Sequence, residues 1–196
     1  MDEVVFRGML KWPNVPAVYG WLRLDCRGRW LIKTAAGRFE RVGNAAMNEF
    51  IGRNYAADSE GRWFFQNGPQ RVYVSLDYTP WVYRLDDAAS ALVAHNRAVP
   101  RAFKAAFLDE AGALLLESDL GVGVLLDRDL PAVLEGAARA RGCDAESPIE
   151  AALQGRAAQI ALPGATVALA PIRSGDVARR FGFVPRPAPR SGEPEC

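Results

Sequence analysis

Apolar and polar residues alternate with a period of two over several short stretches of this chain, and recur every three to four positions over a few others. The alternation is densest from Asp58 to Leu85, where Arg62 to Gln66, Arg71 to Asp77 and Pro80 to Leu85 read as three short strands. Asn67-Gly68 is expected to join the first two as a two-residue hairpin turn with positive φ at both positions, and Gly61 after Asp58 turns the chain into the first. Upstream, Tyr19 to Leu24 and Arg29 to Lys33 read as strands across Asp25–Gly28, with Arg38 to Val42 a further short one. Helical spacing predicts a helix over Asp2 to Leu10, with Val5 and Met9 on one face and Pro13 as its stop. A second helix is expected over Asn44 to Asn54, with Asn44 as N-cap and Met47, Phe50 and Ile51 in one stripe.

Past Asp86-Asp87 the pattern changes, because all five Trp and all five Tyr lie at or before Tyr83. The expected organisation is an aromatic-rich α+β unit over residues 1–87, a linker over 88–103 with a short helix around Ala88 to Ala94, a second α+β unit over 104–183, and a flexible tail over 184–196. In the second unit, Lys104 to Asp109, Ala113 to Glu117 and Val122 to Asp127 read as strands. Leu130 to Arg141 carries the clearest helical stripe, with Gly142 at its end. Gln159 to Leu162 and Thr166 to Pro171 form a hairpin across Pro163-Gly164, and Ser174 to Phe181 is a short helix capped by Ser174 and Asp176.

The two halves repeat each other. Leu24-Asp25-x-x-Gly28-x-Trp30 has a counterpart in Leu108-Asp109-x-x-Gly112-x-Leu114, and the helix 44–54 falls at the same offset as the helix after Arg128. Val74 to Leu76 is matched with Ile160 to Leu162. The fold class is therefore α+β: two related units, each with small antiparallel sheets packed on a helix, arising by internal duplication.

Charge and chemistry narrow the function classes. With 24 basic and 23 acidic residues the net charge is +1, which gives no general attraction to nucleic acid or an anionic membrane. No apolar run is long enough for a membrane-spanning helix, and the acidic start Met1-Asp2-Glu3 is unlike an export signal, so a cytoplasmic location is expected. Cys26, Cys143 and Cys196 are widely spaced and His95 is the single histidine, so neither a disulfide framework nor a metal site is expected. No phosphate loop or nucleophile elbow is present, and Gly121-Val122-Gly123 lacks the third glycine of a dinucleotide loop, so no cofactor is expected. Asp25, Asp58, Asp109 and Asp127 stand at turns, where aspartate caps the backbone.

Four stretches carry a resemblance: Trp12-Pro-Asn-Val-Pro-Ala-Val-Tyr-Gly-Trp21, Phe50-Ile-Gly-Arg-Asn-Tyr55, Asp58-x-x-Gly-Arg-Trp-Phe-Phe-Gln-Asn-Gly-Pro-Gln-Arg-Val-Tyr-Val74, and Thr79-Pro-Trp-Val82. In these the chain resembles an uncharacterised proteobacterial domain-of-unknown-function family of about this length. The same order is similar to a related family in which a duplicated strand-and-helix unit has a proposed signalling role. The resemblance implies a two-unit α+β architecture and a sensing or regulatory function, and it supplies no catalytic residues.

The aromatic concentration supplies the candidate site. Period two places Arg71, Tyr73 and Ser75 on one face of their strand, with Val72, Val74 and Leu76 turned toward helix 44–54. Trp63, Trp81 and Tyr83 from neighbouring strands, with Arg53, are expected to complete an aromatic, cationic binding surface around Arg71 and Tyr73. A non-enzymatic module binding a small molecule or a protein is the favoured class, with its oligomeric state left open. The alternative is a small enzyme using Arg71, Tyr73, Asp77 and His95.

Overall fold

A computed structural model describes residues 1–12, 15–141, 147–154 and 156–190. The chain divides into two units, one formed by Met1–Pro80 with the segment from Gly182, the other by Trp81–Phe181. Both are α+β. Among the described residues no helix is long and apolar enough to cross a membrane.

The first unit runs α1 (Glu3–Lys11), β1 (Val18–Leu24), β2 (Trp30–Lys33), β3 (Phe39–Arg41), α2 (Ala45–Arg53), β4 (Tyr55–Ala57), β5 (Trp63–Asn67) and β6 (Gln70–Leu76). Its strands form one sheet in the order β3-β2-β1-β6-β5-β4. Neighbours are antiparallel except β1 and β6, which run parallel with Leu22 opposite Val74 and Leu24 opposite Leu76. Asn44 caps α2 as expected, its side chain accepting from the Met47 N–H. The helix stripe expected from spacing is only partly buried: Ile51 is in the core, Phe50 packs edge-on against Phe65 with ring centroids 5.4 Å apart, and Met47 is exposed. Trp63, Phe65, Val72 and Val74 share that helix-facing side by register. β4 was not expected. It pairs with β5 across the Asp58–Gly61 turn, so the helix gives way directly to a strand at Tyr55.

The second unit runs β7 (Trp81–Leu85), β8 (Leu92–Ala94), β9 (Phe103–Leu108), β10 (Leu114–Ser118), β11 (Val122–Leu125), α3 (Leu130–Arg141), α4 (Pro148–Leu153), β12 (Ala158–Leu162), β13 (Ala165–Pro171) and α5 (Val177–Phe181). Its seven strands are ordered β12-β13-β9-β10-β11-β7-β8. The five strands β11-β10-β9-β13-β12 reproduce the order β3-β2-β1-β6-β5. β13 runs parallel to β9 as β6 does to β1, and α3 occupies the chain position of α2. The duplication extends to the hairpin turns. Asp25 Oδ1 accepts from the Arg27 and Arg29 N–H groups, and Asp109 Oδ1 from those of Ala111 and Ala113, while Gly28 and Gly112 take φ of 75° and 83°. At the far end, the Asp77 N–H donates to Leu24 O (3.0 Å) and the Ile172 N–H to Leu108 O (2.9 Å).

Four sequence expectations are corrected. Val74–Leu76 corresponds to Leu169–Pro171, which stand opposite Ala106–Leu108, and not to Ile160–Leu162, which lies one strand earlier in β12. The β5–β6 turn is Gly68-Pro69, closed by the pair Asn67–Gln70; only Gly68 has positive φ (56°), because Pro69 is locked at negative φ. The region around Ala88 to Ala94 is a turn followed by strand β8 rather than a helix, with Ala89 at φ 53°. The Ser174 hydroxyl donates to Glu110 (2.6 Å) instead of capping its own helix. Gly142, Cys143, Cys196 and the Pro13 stop lie outside the described residues.

β7 joins the second sheet, running parallel to β11, although its sequence follows directly on the strands of the first. Trp81, Val82 and Tyr83 are all buried, as an internal parallel strand requires. The Tyr83 ring and the Trp81 Cβ lie over Gly123, the residue of β11 opposite Trp81: a Cβ there would stand 2.6 Å from the Tyr83 ring and 2.8 Å from Trp81 Cβ. The glycine that fits no dinucleotide loop thus has a packing role. In the first unit, residues read as a tail pair with the sheet: the Val184 N–H donates to Gly61 O (2.9 Å) and the Leu76 N–H to Pro185 O (2.7 Å). Gly61 has φ of 75°, and a Cβ there would meet Gly182 O at 2.0 Å.

Gly123→Ala is expected to destabilise the protein by on the order of 2 kcal/mol in urea unfolding, since neither backbone nor ring can retreat far from the added methyl. An unchanged unfolding midpoint would show that the rings are free to move aside.

Candidate functional site

The face of the first sheet turned away from α2 carries a continuous row of polar and aromatic side chains. The register pairs Phe64 with Tyr73 and Gln66 with Arg71, so all four project to the same side, joined by Arg62 two residues before Phe64. Alternation along β5 and β6 is what selects this set. The Arg71 guanidinium lies 4.0 Å from the centroid of the Phe64 ring, and that of Arg62 lies 4.7 Å from the Tyr73 ring. Tyr19 of β1 stacks on Tyr73, with centroids 4.6 Å apart and planes 11° from parallel.

Asp58 anchors one end of the row. Its Oδ1 accepts from the N–H groups of Glu60 and Arg62 (2.9 and 3.0 Å), and its Oδ2 from Arg62 Nε (2.8 Å) and the Tyr73 hydroxyl (3.1 Å). Both side chains of the Asp58–Arg62 pair are only 10% exposed. Burial works to raise the Asp58 pKa, but the bonds from Arg62, Glu60 and Tyr73 outweigh it and hold the carboxyl below its ordinary value. The same pairing, set against burial, raises the Arg62 pKa.

Over this row lies a groove of about 610 Å³. Phe6, Met9, Leu10 and Trp12 from α1 and its end line one side; Tyr19, Arg62, Gln66, Arg71 and Tyr73 line the floor. Arg190, which pairs with Glu60, lies at the rim. Val5 anchors α1 in the core, while Phe6 and Leu10 are 55% and 70% exposed and face the groove mouth.

Of the residues expected at the site, the structure brings together Arg71 and Tyr73. Trp63 points to the opposite face, where its ring lies 4.7 Å from that of Tyr55. Arg53 is at the end of α2, paired with Asp2 at 3.3 Å. Trp81 and Tyr83 are core residues of the second unit: Trp81 Nε1 donates to Leu120 O, and the Tyr83 hydroxyl bonds Ser118 Oγ at 2.6 Å. Burial raises the Tyr83 pKa, only partly countered by Ser118. Of the alternative set, Asp77 pairs with Arg23 at 3.6 Å, and His95 lies in the second unit, 5.7 Å from Trp81, its Nδ1 accepting from the Val82 N–H. Sequence reasoning missed Gln66, Asp58 and Arg62 as groove residues. Gln66 carried a signal, being a polar residue at the same phase as Phe64 inside a strand.

A second cleft of about 770 Å³ lies in the second unit, between Leu108, Leu153 and Pro171 and the charged groups of Glu110, Asp176 and Arg179. Its charges are largely matched. Bonds from Ser174 lower the Glu110 pKa, Arg179 pairs with Asp176 at 2.7 Å, and Arg180 covers the Phe107 ring. No group of three or more His, Cys, Asp or Glu suited to a metal ion occurs among the described residues.

Fold and groove together define a class: an α+β protein of two topologically duplicated units, the first bearing an open, aromatic-floored groove. The chain belongs to the DUF2944 family, described as "Protein of unknown function (DUF2946)", whose model matches residues 1–188. It is similar in structure to a DUF1285 family protein from Silicibacter pomeroyi DSS-3, with 12% sequence identity, a TM-score of 0.51, and 83% of this chain and 86% of that chain covered. At that identity the likeness shows the fold alone. No curated protein matches the chain. The resemblance read from the sequence holds to this extent, as membership of a family of unknown function.

Asp58→Asn is expected to lower stability at neutral pH by on the order of 2 kcal/mol, since it removes the buried partner of Arg62 and leaves only Glu60, half-exposed and 3.4 Å away. A carboxyl whose pKa is depressed by folding stabilises above its unfolded value, near 3.8, and loses that contribution as pH falls through the folded value. The gap between wild type and variant should therefore narrow from neutral pH to roughly pH 3 in urea unfolding. A gap constant across that range would count against the ion pair.

Proposed function

We propose that the protein is a non-enzymatic binding module of a regulatory or signalling kind, with its ligand seated in the groove of the first unit. The observation that carries this reading is Arg71. Its guanidinium lies over the Phe64 ring beside the groove and holds no carboxylate among the described residues, whereas Arg62 pairs with Asp58 and Glu60, and Arg190 with Glu60. A guanidinium placed on an aromatic face and left without a counter-ion is a preorganised anchor for an anion carrying an apolar group. The net charge of +1 favours a small molecule or a protein partner over nucleic acid.

The titratable groups of the groove support binding over proton-transfer chemistry. Asp58 is held ionised by four donors, while a general acid or base is tuned toward neutral pH. His95, the single histidine, belongs to the other unit.

Native mass spectrometry of protein taken directly from its source cells should show an added mass on the wild type that Arg71→Ala lacks. The variant should lose less than about 1 kcal/mol of stability, as for a surface side chain. Equal loading of the two proteins, or an unfolded variant, would remove the groove from consideration.

A further inference from the structure

The groove floor holds a second open group, and it defines what the ligand must carry. Gln66 is 1% exposed and lines the groove. Its Nε2 donates to Gly68 O at 3.0 Å. A carbonyl can only accept, so the amide orientation is fixed and Oε1 is the end left over. Oε1 is buried and has no hydrogen-bond partner among the described residues. A buried acceptor without a donor is costly, and such groups are rare enough in folded proteins that each calls for a partner. The contrast with Asp58, whose oxygens accept four bonds a few residues away, is direct.

Gln66 stands opposite Arg71 in the β5–β6 register. Directly opposed residues on one face of an antiparallel pair have Cβ atoms roughly 4.5–5.5 Å apart. Gln66 and Arg71 thus stand side by side on the groove floor. The charge of the groove sets the ligand's charge: Asp58 offsets Arg62 and Glu60 offsets Arg190, which leaves the single positive charge of Arg71. One unmatched guanidinium suits a monoanion, and its two-pronged geometry suits a carboxylate.

We propose that the groove binds a small carboxylate that carries an N–H donor next to the carboxylate and an apolar group beyond it, as an N-acyl amino acid does. The carboxylate pairs with Arg71, the N–H donates to Gln66 Oε1, and the apolar group lies against Phe6, Leu10 and Trp12. This rests on the groove being the binding site and specifies its ligand class.

The test titrates the full chain with N-acetyl-L-tryptophan, with its N-methyl analogue N-acetyl-N-methyl-L-tryptophan, which keeps the carboxylate but lacks the acylamino N–H, and with N-acetyl-L-tryptophanamide, which lacks the carboxylate, followed by calorimetry and NMR shifts. The first compound should bind about tenfold more tightly than either analogue, the loss expected when a buried acceptor or a cation goes unmatched. In Gln66→Met, checked for folding by thermal melting, the N-methyl analogue and its parent should bind alike while the carboxylate preference persists. In Arg71→Ala the carboxylate preference should vanish. The comparison of the three compounds on wild type alone decides the N–H assignment should Gln66→Met not fold. If the parent and its N-methyl analogue bind wild type equally while Arg71→Ala loses both, a solvent molecule serves Gln66 and the N–H assignment is wrong, with the groove reading intact. If none of the compounds binds at millimolar concentration, or if Arg71→Ala binds them all as wild type does, the ligand class and the groove site both fail.

Discussion

Each unit depends on a parallel pair that no hairpin could make. β1 must lie beside β6, and β9 beside β13, and parallel neighbours need a crossover with a helix or further strands between them. The backbone bonds from Asp77 to Leu24 and from Ile172 to Leu108 seal the same corner in both units. Everything between the paired strands is arranged to permit that contact: two strands on one side, a helix, then a returning hairpin. The Asp-x-x-Gly turns serve it by folding β1 onto β2 and β9 onto β10 without using residues beyond the turn itself. A carboxylate that accepts two backbone N–H groups, with a glycine at positive φ, sets that geometry locally.

The same constraint separates the two halves chemically. In the second unit, β10 is buried on both faces over Leu114, Leu115 and Leu116, so those three positions read as consecutive apolar residues without alternation. In the first unit, one face of β5 and β6 is covered by α2 and the other is partly open, so aliphatic and polar residues alternate. The groove exists because that open face is floored with arginines and aromatic rings instead of aliphatic side chains. The Asp58–Arg62 pair then fixes the Tyr73 hydroxyl and leaves the far end of the row to Arg71 and Gln66.

Local patterns were legible from the sequence wherever one residue type had one physical use. α3 was read to its observed ends, and the β9–β10 and β12–β13 hairpins were placed within a residue or two. The α+β class and the duplication followed from the repeated turn, and the phase of Arg71 against Val72 followed from strand alternation. Pairing beyond the next strand was not legible. Nothing in Trp81–Leu85 distinguishes a strand that continues the first sheet from one that runs parallel to β11, because its all-buried pattern suits either place. The last strand of the repeat was misassigned for a related reason: Ile160–Leu162 and Leu169–Pro171 are both apolar, and only their partners tell them apart. At the site, Tyr73 and Arg71 were found by period two. Trp63 was misplaced by being grouped on its aromatic character, whereas its phase puts it with Phe65.

The pairing of Val184 and Pro185 with Gly61 and Leu76 makes the first unit discontinuous in sequence, with the whole of Trp81–Phe181 interposed. During synthesis, domains generally form from the N-terminus as they emerge. Here the second unit is complete on the nascent chain before the first can receive its final strand contact. The groove-bearing sheet therefore waits, with the Leu76 and Gly61 backbone groups open, until about a hundred further residues have been made. A chain cut short anywhere within that interval has an unfinished first unit. A finished groove is also a report that translation passed residue 185.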